Sequence, residues 1–168
     1  MTDHKYAAAV LTVSDKGSQG LREDASGAKV GELLEASIFQ VVWRGVLPDE
    51  PDQVAAKLKE LCDQTRVALV VTTGGTGFSP RDLTPEATLS VAERLAPGLA
   101  ELMRAEGCRK TPRAMLSRGV AAIRGGTLIL NVPGSPKGAK ESLEAVLPIL
   151  DHALEVLSGT GGDCAAGH

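Results

Sequence analysis

Two aspartates and a glycine-rich turn carry the chemistry in this sequence. Asp49 follows a proline in Leu47-Pro48-Asp49-Glu50, and Asp82 lies five residues beyond the last glycine of Thr73-Gly74-Gly75-Thr76-Gly77. No bulky side chain blocks the backbone N–H groups of that turn. They can form a nest with fixed partial positive charge, which suits a phosphate. Two carboxylates beside a polyphosphate would repel it unless a hard cation stood between them. Mg2+ takes carboxylates, water and phosphate oxygens, and it would neutralise charge developing at an attacked phosphorus. Each piece also has a plainer reading. The glycines could serve only a tight turn with positive φ, and each aspartate could be an ordinary turn residue. The pieces gain force from being brought to one place.

Other segments could add to such a place. Pro133-Gly134-Ser135-Pro136-Lys137 offers backbone donors and a point charge, or else a plain loop with a solvated lysine. Ser117-Arg118 could give a guanidinium to a phosphate, or a surface ion pair. The Gly-rich turn is neither a Walker loop nor a dinucleotide fingerprint. His4, His152 and His168 fall in a terminus, a helix and a tail, with no Cys–His or Ser–His pairing that would suggest a covalent nucleophile.

The positioning elements follow from hydrophobic patterning. Tyr6–Val13, Ile38–Leu47, Val67–Thr72 and Thr127–Val132 read as strands, the third being the continuous apolar run of a strand buried on both faces. Helical spacing runs between them. One helix is expected after Ser26 as cap. Others are expected from Asp52, from Thr84 as cap with Pro85 opening the helix and running to about Leu95, over Leu99–Glu106, and briefly after Thr111-Pro112. A last helix covers Ala139–Leu157, interrupted and bent at Pro148. Residues 1–5 are expected to fray, 16–24 to be a loop, and 159–168 to be a disordered tail after a single domain over 1–158. Strands alternating with helices imply an α/β three-layer sandwich around a mostly parallel sheet. In that arrangement all four strands end on one edge, beside Ser14-Asp15, Asp49, the Gly-rich turn with Asp82, and Pro133 to Lys137. Such edges hold ligands where the strand order switches.

Composition narrows the partners. The chain of 168 residues has a net charge of -3 and only 2% aromatics, so neither a basic field nor stacking platforms for nucleic acid are present. The three cysteines, Cys62, Cys108 and Cys164, have no metal-like spacing and suit a reducing compartment. The apolar run near the start is too short for a signal peptide or a membrane span. A cytoplasmic protein with no nucleic acid or membrane partner is expected.

TVSD at 12–15, LPDE at 47–50, TTGGTGFSPRDLTPEAT at 72–88 and MLSRGVAAIRGGTLILNVPGSPKG at 115–138 resemble the molybdopterin adenylyltransferases. These are the Mog-type members of the Mog/MoaB family, similar to the G domain of gephyrin. The resemblance covers roughly residues 7–157. It implies the molybdopterin-binding fold and transfer of AMP from Mg-ATP to the terminal phosphate of molybdopterin, in molybdenum cofactor biosynthesis. Asp49 and Asp82 match the acidic positions tied to catalysis and Mg2+. Gly74, Gly75, Thr76 and Gly77 match the phosphate-contacting turn. Ser14, Asp15, Thr84, Pro85, Glu86, Ser117, Arg118, Pro133, Gly134, Ser135 and Lys137 match other positions of the ATP and molybdopterin pocket. The resemblance further implies a homotrimer and a separate protein for molybdate insertion. MoaB-type relatives often lack one or both acids. This chain has both, which favours the enzyme over a non-catalytic molybdopterin carrier or scaffold.

Overall fold

The structure is a computed structural model that describes Asp3 and residues 5–161. The chain runs β1 (Tyr6–Val13), α1 (Asp15–Ser18), α2 (Ala25–Glu35), β2 (Phe39–Leu47), α3 (Pro51–Glu60), β3 (Leu69–Thr73), α4 (Thr84–Val91), β4 (Arg94–Leu95), α5 (Pro97–Cys108), β5 (Ala121–Arg124), β6 (Thr127–Val132) and α6 (Pro136–Ser158). A π turn, Leu61–Thr65, extends α3, and a 3-10 turn, Pro112–Leu116, follows α5 with Thr111 as its cap.

One sheet organises these elements in the order β2-β1-β3-β6-β5-β4. The four expected strands pair in parallel, with Val10 level with Val71 and Val71 level with Leu130. Side chains alternate across the sheet with a period of two, and the core divides accordingly. Ala8, Val10, Leu69 and Val71 face Val30, Leu34, Leu143 and Val146 of α2 and α6, with Ala100 and Met103 of α5. Ala9, Leu11 and Val70 face Val54 and Leu58 of α3 and Ala87 and Val91 of α4. These are the three layers expected. Fully burying each Leu or Val contributes about 1.5–3 kcal/mol, so the central strands are the best-held part of the molecule.

Several local expectations need correction. β4 and β5 add an antiparallel extension to the sheet. The helix begun at Thr84 therefore stops at Val91, because Arg94 and Leu95 are drawn into pairing with Ile123 and Ala122. The cap of α2 is Asp24, whose carboxylate accepts from the Gly27 N–H at 2.9 Å, while Ser26 is buried inside the helix. Ser14 likewise caps the short helix α1, where a loop was expected. Pro148 does not interrupt α6. Leu143, Val146, Leu150 and Leu154 lie buried on either side of it, and that packing outweighs one missing N–H. Lys5 does not fray. Its ammonium pairs with Asp151 and Glu155 at 2.8 and 2.6 Å. Gly159 closes α6 in a left-handed conformation, and the N–H groups of Thr160 and Gly161 donate to the Glu155 carbonyl. Residues 162–168 of the expected tail, Cys164 and His168 included, and His4 at the other end lie outside the described residues.

Candidate active site

The carboxyl ends of β1, β2, β3 and β6 open on one edge. From β1 the chain goes outward to β2, then returns to place β3 on the other side of β1. The switch in strand order therefore lies between β1 and β3, where Ser14 and Gly74 leave their strands.

The Gly-rich turn is pinned from several directions. The Gly74 N–H donates to the Val132 carbonyl at 3.2 Å, and the Thr73 hydroxyl donates to the Pro133 carbonyl at 2.8 Å. The Thr84 N–H donates to Gly75 O at 3.1 Å, and the Arg118 N–H to Thr76 O at 2.8 Å. Gly74 has φ +102° and Gly75 +68°. A Cβ on Gly74 would collide with the Val13 carbonyl oxygen, and one on Gly75 with the Thr84 hydroxyl. The turn thus needs glycine both for its dihedrals and for its close approach to β1 and α4. Asp82 is set by its own turn: its N–H donates to Ser79 O, and its carboxylate accepts from the Ser79 N–H, both at 2.9 Å. That carboxylate faces the Cα of Gly77.

Asp15 and Asp49 brace each other. The Asp15 N–H donates to the Asp49 carboxylate at 2.9 Å, and the Asp49 N–H donates to the Asp15 carboxylate at 3.0 Å. Arg81, next to Asp82 in the chain, donates to Asp15 at 2.7 and 3.0 Å and to Glu50 at 2.9 Å. It straps the turn carrying Asp82 to the ends of β1 and β2. Arg81 holds the Asp15 carboxyl below the usual range, helped by the Asp49 N–H. Asp49 moves the other way. Burial pushes it up, the Asp15 N–H opposes this, and the charges of Asp15 and Asp82 add to the rise.

The Asp49 shift has a consequence for stability. A carboxyl whose pKa is higher folded than unfolded weakens the fold once the pH passes the unfolded value, because the native state then holds a charge it disfavours. Asp49→Asn removes that penalty. In the absence of divalent cations the variant is expected to unfold at higher urea than the wild type at pH 7. The gain should fade as the pH drops below the ordinary aspartate value of about 3.9. Equal midpoints at pH 7 would count against strain at Asp49.

Two compartments of about 460 Å³ each share a wall on this edge, and a more open hollow of about 450 Å³ over Gly77, Asp82, Glu86 and Arg118 lies outside them. The first lies toward α5, the 3-10 turn and the start of α6. Gly75, Thr76, Gly77, Asp82 and Ser117 line it, as do Pro133, Gly134 and Ser135. The second lies toward α1 and the start of α2, lined by Ser14, Asp49, Gly74, Gly75 and Asp82, with Gly134 and Ser135. Gly75, Asp82, Gly134 and Ser135 belong to both. Ser135 also caps α6, accepting from the Gly138 N–H at 3.0 Å.

The remaining sequence candidates stand elsewhere. Glu86 and Arg118 pair with each other, which lowers the Glu86 carboxyl and raises the Arg118 guanidinium. Arg118 also donates to Gly77 O at 2.9 Å and to Asp82 O, so it ties the Asp82 turn from outside. Pro85 is buried in α4. Lys137 projects into solvent near Glu141. Thr84 is not the cap of α4 but its first residue; Leu83 holds the cap position and makes no side-chain cap hydrogen bond, while the Thr84 N–H donates to Gly75 O. Its hydroxyl is buried, with no hydrogen-bond partner among the described residues. Thr84→Val replaces that oxygen with a methyl of the same shape, and a stability gain of about 1 kcal/mol in urea unfolding is expected. A loss would mean the hydroxyl has a partner.

The sequence reading missed Arg22 and Asp24 in the second compartment, and Arg104, Arg113 and Glu141 in the first. Asp24 could have been found as an N-cap three residues before a free helical N–H. Arg104 donates to the carbonyls of Ser117 and Gly119 at 3.3 and 2.8 Å, holding the segment before β5. Among the described residues no group of three or more His, Cys, Asp or Glu is placed to hold a metal ion, and no helix is long and apolar enough to cross a membrane.

Fold and site together define an α/β protein whose strand-end edge divides into two compartments around a shared carboxylate. Residues 9–152 match the family described as "Probable molybdopterin binding domain", and the chain belongs to that family. It is 41% identical over 152 residues to the molybdopterin adenylyltransferase of Helicobacter pylori, covering 89% of this chain and 86% of that protein. The molybdopterin adenylyltransferase of Haemophilus influenzae is 44% identical over 140 residues, covering 82% of this chain and 71% of that protein. The crystal structure of the molybdopterin biosynthesis enzyme MoaB from Thermus thermophilus superposes with a TM-score of 0.88 at 53% identity, covering 92% of this chain and 98% of that one.

Proposed function

We propose that this protein is a molybdopterin adenylyltransferase. A terminal phosphate oxygen of molybdopterin attacks the α-phosphorus of ATP, a new P–O bond forms, and the bond to pyrophosphate breaks. The observation that carries this reading is the pair of similar compartments meeting at Gly75, Asp82, Gly134 and Ser135. A transfer between two bulky substrates needs two seats with a common wall at the reacting phosphorus, and holding both there supplies much of the rate.

Each residue takes a role from its place. Gly74 to Gly77 offer backbone N–H groups to phosphate oxygens. Ser14 and the Pro133 to Ser135 segment border the same space. Asp15 keeps Asp49 in place, Arg118, itself paired with Glu86, holds the Asp82 turn, and Thr84, followed by the buried Pro85 in α4, holds the Gly-rich turn at Gly75. Lys137 stands at the rim as a point charge. Asp49 and Asp82 suit Mg2+. Burial and facing carboxylates raise Asp49, a strain that a divalent cation relieves, and two carboxylates with water and substrate phosphates match the preference of that ion. When bound it supplies charge neutralisation at the phosphates.

The test measures pyrophosphate release from Mg-ATP with and without molybdopterin. Release that depends on molybdopterin is expected. Bound molybdopterin without release would instead indicate a carrier of the same fold, and ATP binding without affinity for a pterin would indicate a different nucleotide-binding protein. A homotrimer, a separate molybdate-insertion partner and cytoplasmic operation complete the reading, the last in keeping with the free thiols of Cys62 and Cys108.

A further inference from the structure

The two compartments differ in the acids they present. In the second, Glu23 is exposed to solvent, Asp49 accepts from the Asp15 N–H at 2.9 Å, and Asp24 is committed: its carboxylate accepts from the Thr12 hydroxyl and the Gly27 N–H, both at 2.9 Å, and from Arg44 at 3.3 Å. In the first, Glu141 is 16% exposed at its side chain, and among the described residues its carboxylate accepts no hydrogen bond. Lys110 and Lys137 stand 3.6 and 4.0 Å from its Oε1. Both are beyond hydrogen-bond length. They offset the charge of Glu141 and leave its lone pairs for another donor.

Glu141 is also well placed along the compartment. Gly138, Glu141 and Ser142 line it from one stripe of α6. At 1.5 Å rise per residue, Glu141 lies roughly 9 Å up the helix from Ser135, at the shared wall. Ala100 and Met103 give that stretch a buried apolar side, and Leu116 lies in the lining as well. A flat heterocycle attached to a phosphate at the wall would reach Glu141 with its far edge.

We propose that Glu141 recognises the 2-amino-4-oxopyrimidine edge of the pterin, which seats the pterin in the α5-side compartment and the nucleotide in the α1-side one. This rests on the adenylyl-transfer reading. That edge presents two neighbouring N–H donors, from the 2-amino group and N3, which match the two oxygens of a carboxylate as a guanidinium fork does. Adenine presents one amino donor beside the N1 lone pair, and that lone pair would face a carboxylate oxygen. Glu141 therefore both accepts the pterin and rejects the nucleotide base.

The experiment titrates wild type, Glu141→Gln and Glu141→Ala with molybdopterin, 6-hydroxymethylpterin, its lumazine counterpart with oxygen in place of the 2-amino group, and ATP. Glu141→Gln is expected to weaken molybdopterin binding about 10–100-fold, the scale of a hydrogen bond to a charged group, with ATP binding unchanged. The wild type should prefer the pterin to the lumazine, and both variants should lose that preference. The preference is a ratio within each variant, so a change in folded fraction does not move it. An unchanged ratio, a loss of ATP binding in place of pterin binding, or a wild type that prefers neither ring overturns the inference. A wild type that shows the preference yet releases no pyrophosphate counts against adenylyl transfer alone.

Discussion

Asp82→Asn is expected to leave the fold intact and to lower molybdopterin-dependent AMP transfer by about 10²–10³-fold, the scale seen when one preorganised charge-stabilising group is removed. Among the described residues Asp82 is the one titratable side chain that lines both compartments. Its structural role is local. The carboxylate accepts one hydrogen bond from the Ser79 N–H, and an asparagine carbonyl keeps that bond. The turn is held besides by its N–H to Ser79 O and by Arg118 on the Gly77 and Asp82 carbonyls. Geometry is preserved and negative charge is lost. Turnover by single-round pyrophosphate release, set beside the thermal midpoint, separates the two effects. A folded variant that turns over at the wild-type rate sinks the role given to Asp82.

Gly74→Ala is expected to cost about 3 kcal/mol of stability or more. Two penalties add. A φ of +102° is strained for any L side chain, and the new methyl would collide with the Val13 carbonyl, a rigid backbone atom that cannot rotate away. Gly159→Ala is the control. Its φ is +74°, but a Cβ there meets nothing within 4 Å, so only the dihedral strain applies. Urea unfolding of both variants isolates the collision. Equal losses in the two would show that β1 yields and that the turn does not depend on close approach.

Much of the frame was legible. The apolar runs from Tyr6, Ile38, Val67 and Thr127 mark strands because each must fill a buried ribbon, and the turn chemistry after each is local. β4 and β5 were not legible. Two exposed residues, Arg94 and Leu95, have no pattern of their own and become a strand only because Ala122 and Ile123 offer an edge. The α2 cap was misassigned because Asp24 and Ser26 are both good capping types, and only the fold shows which oxygen reaches a helical N–H. In the site, glycines and acids following strands could be read from sequence. Arg81, Arg113 and Glu141 could not, because a charged residue on a loop or helix surface looks solvated until the fold closes a cavity beside it. Arg118 shows the reverse case. Its motif marks a place in the site, and the fold spends its guanidinium on Glu86 and two carbonyls.

The exchanged hydrogen bonds of Asp15 and Asp49 make the ends of two neighbouring strands depend on each other. Each carboxylate hangs from the other strand's amide, so neither strand end can fray alone without releasing both bonds. The ends of β1 and β2 thus form a single opening unit, and the free energy of opening is shared between them. A fluctuation that opens one strand end must then release both bonds, so Asp49 stays tied to Asp15 through motions that would let a lone loop aspartate wander.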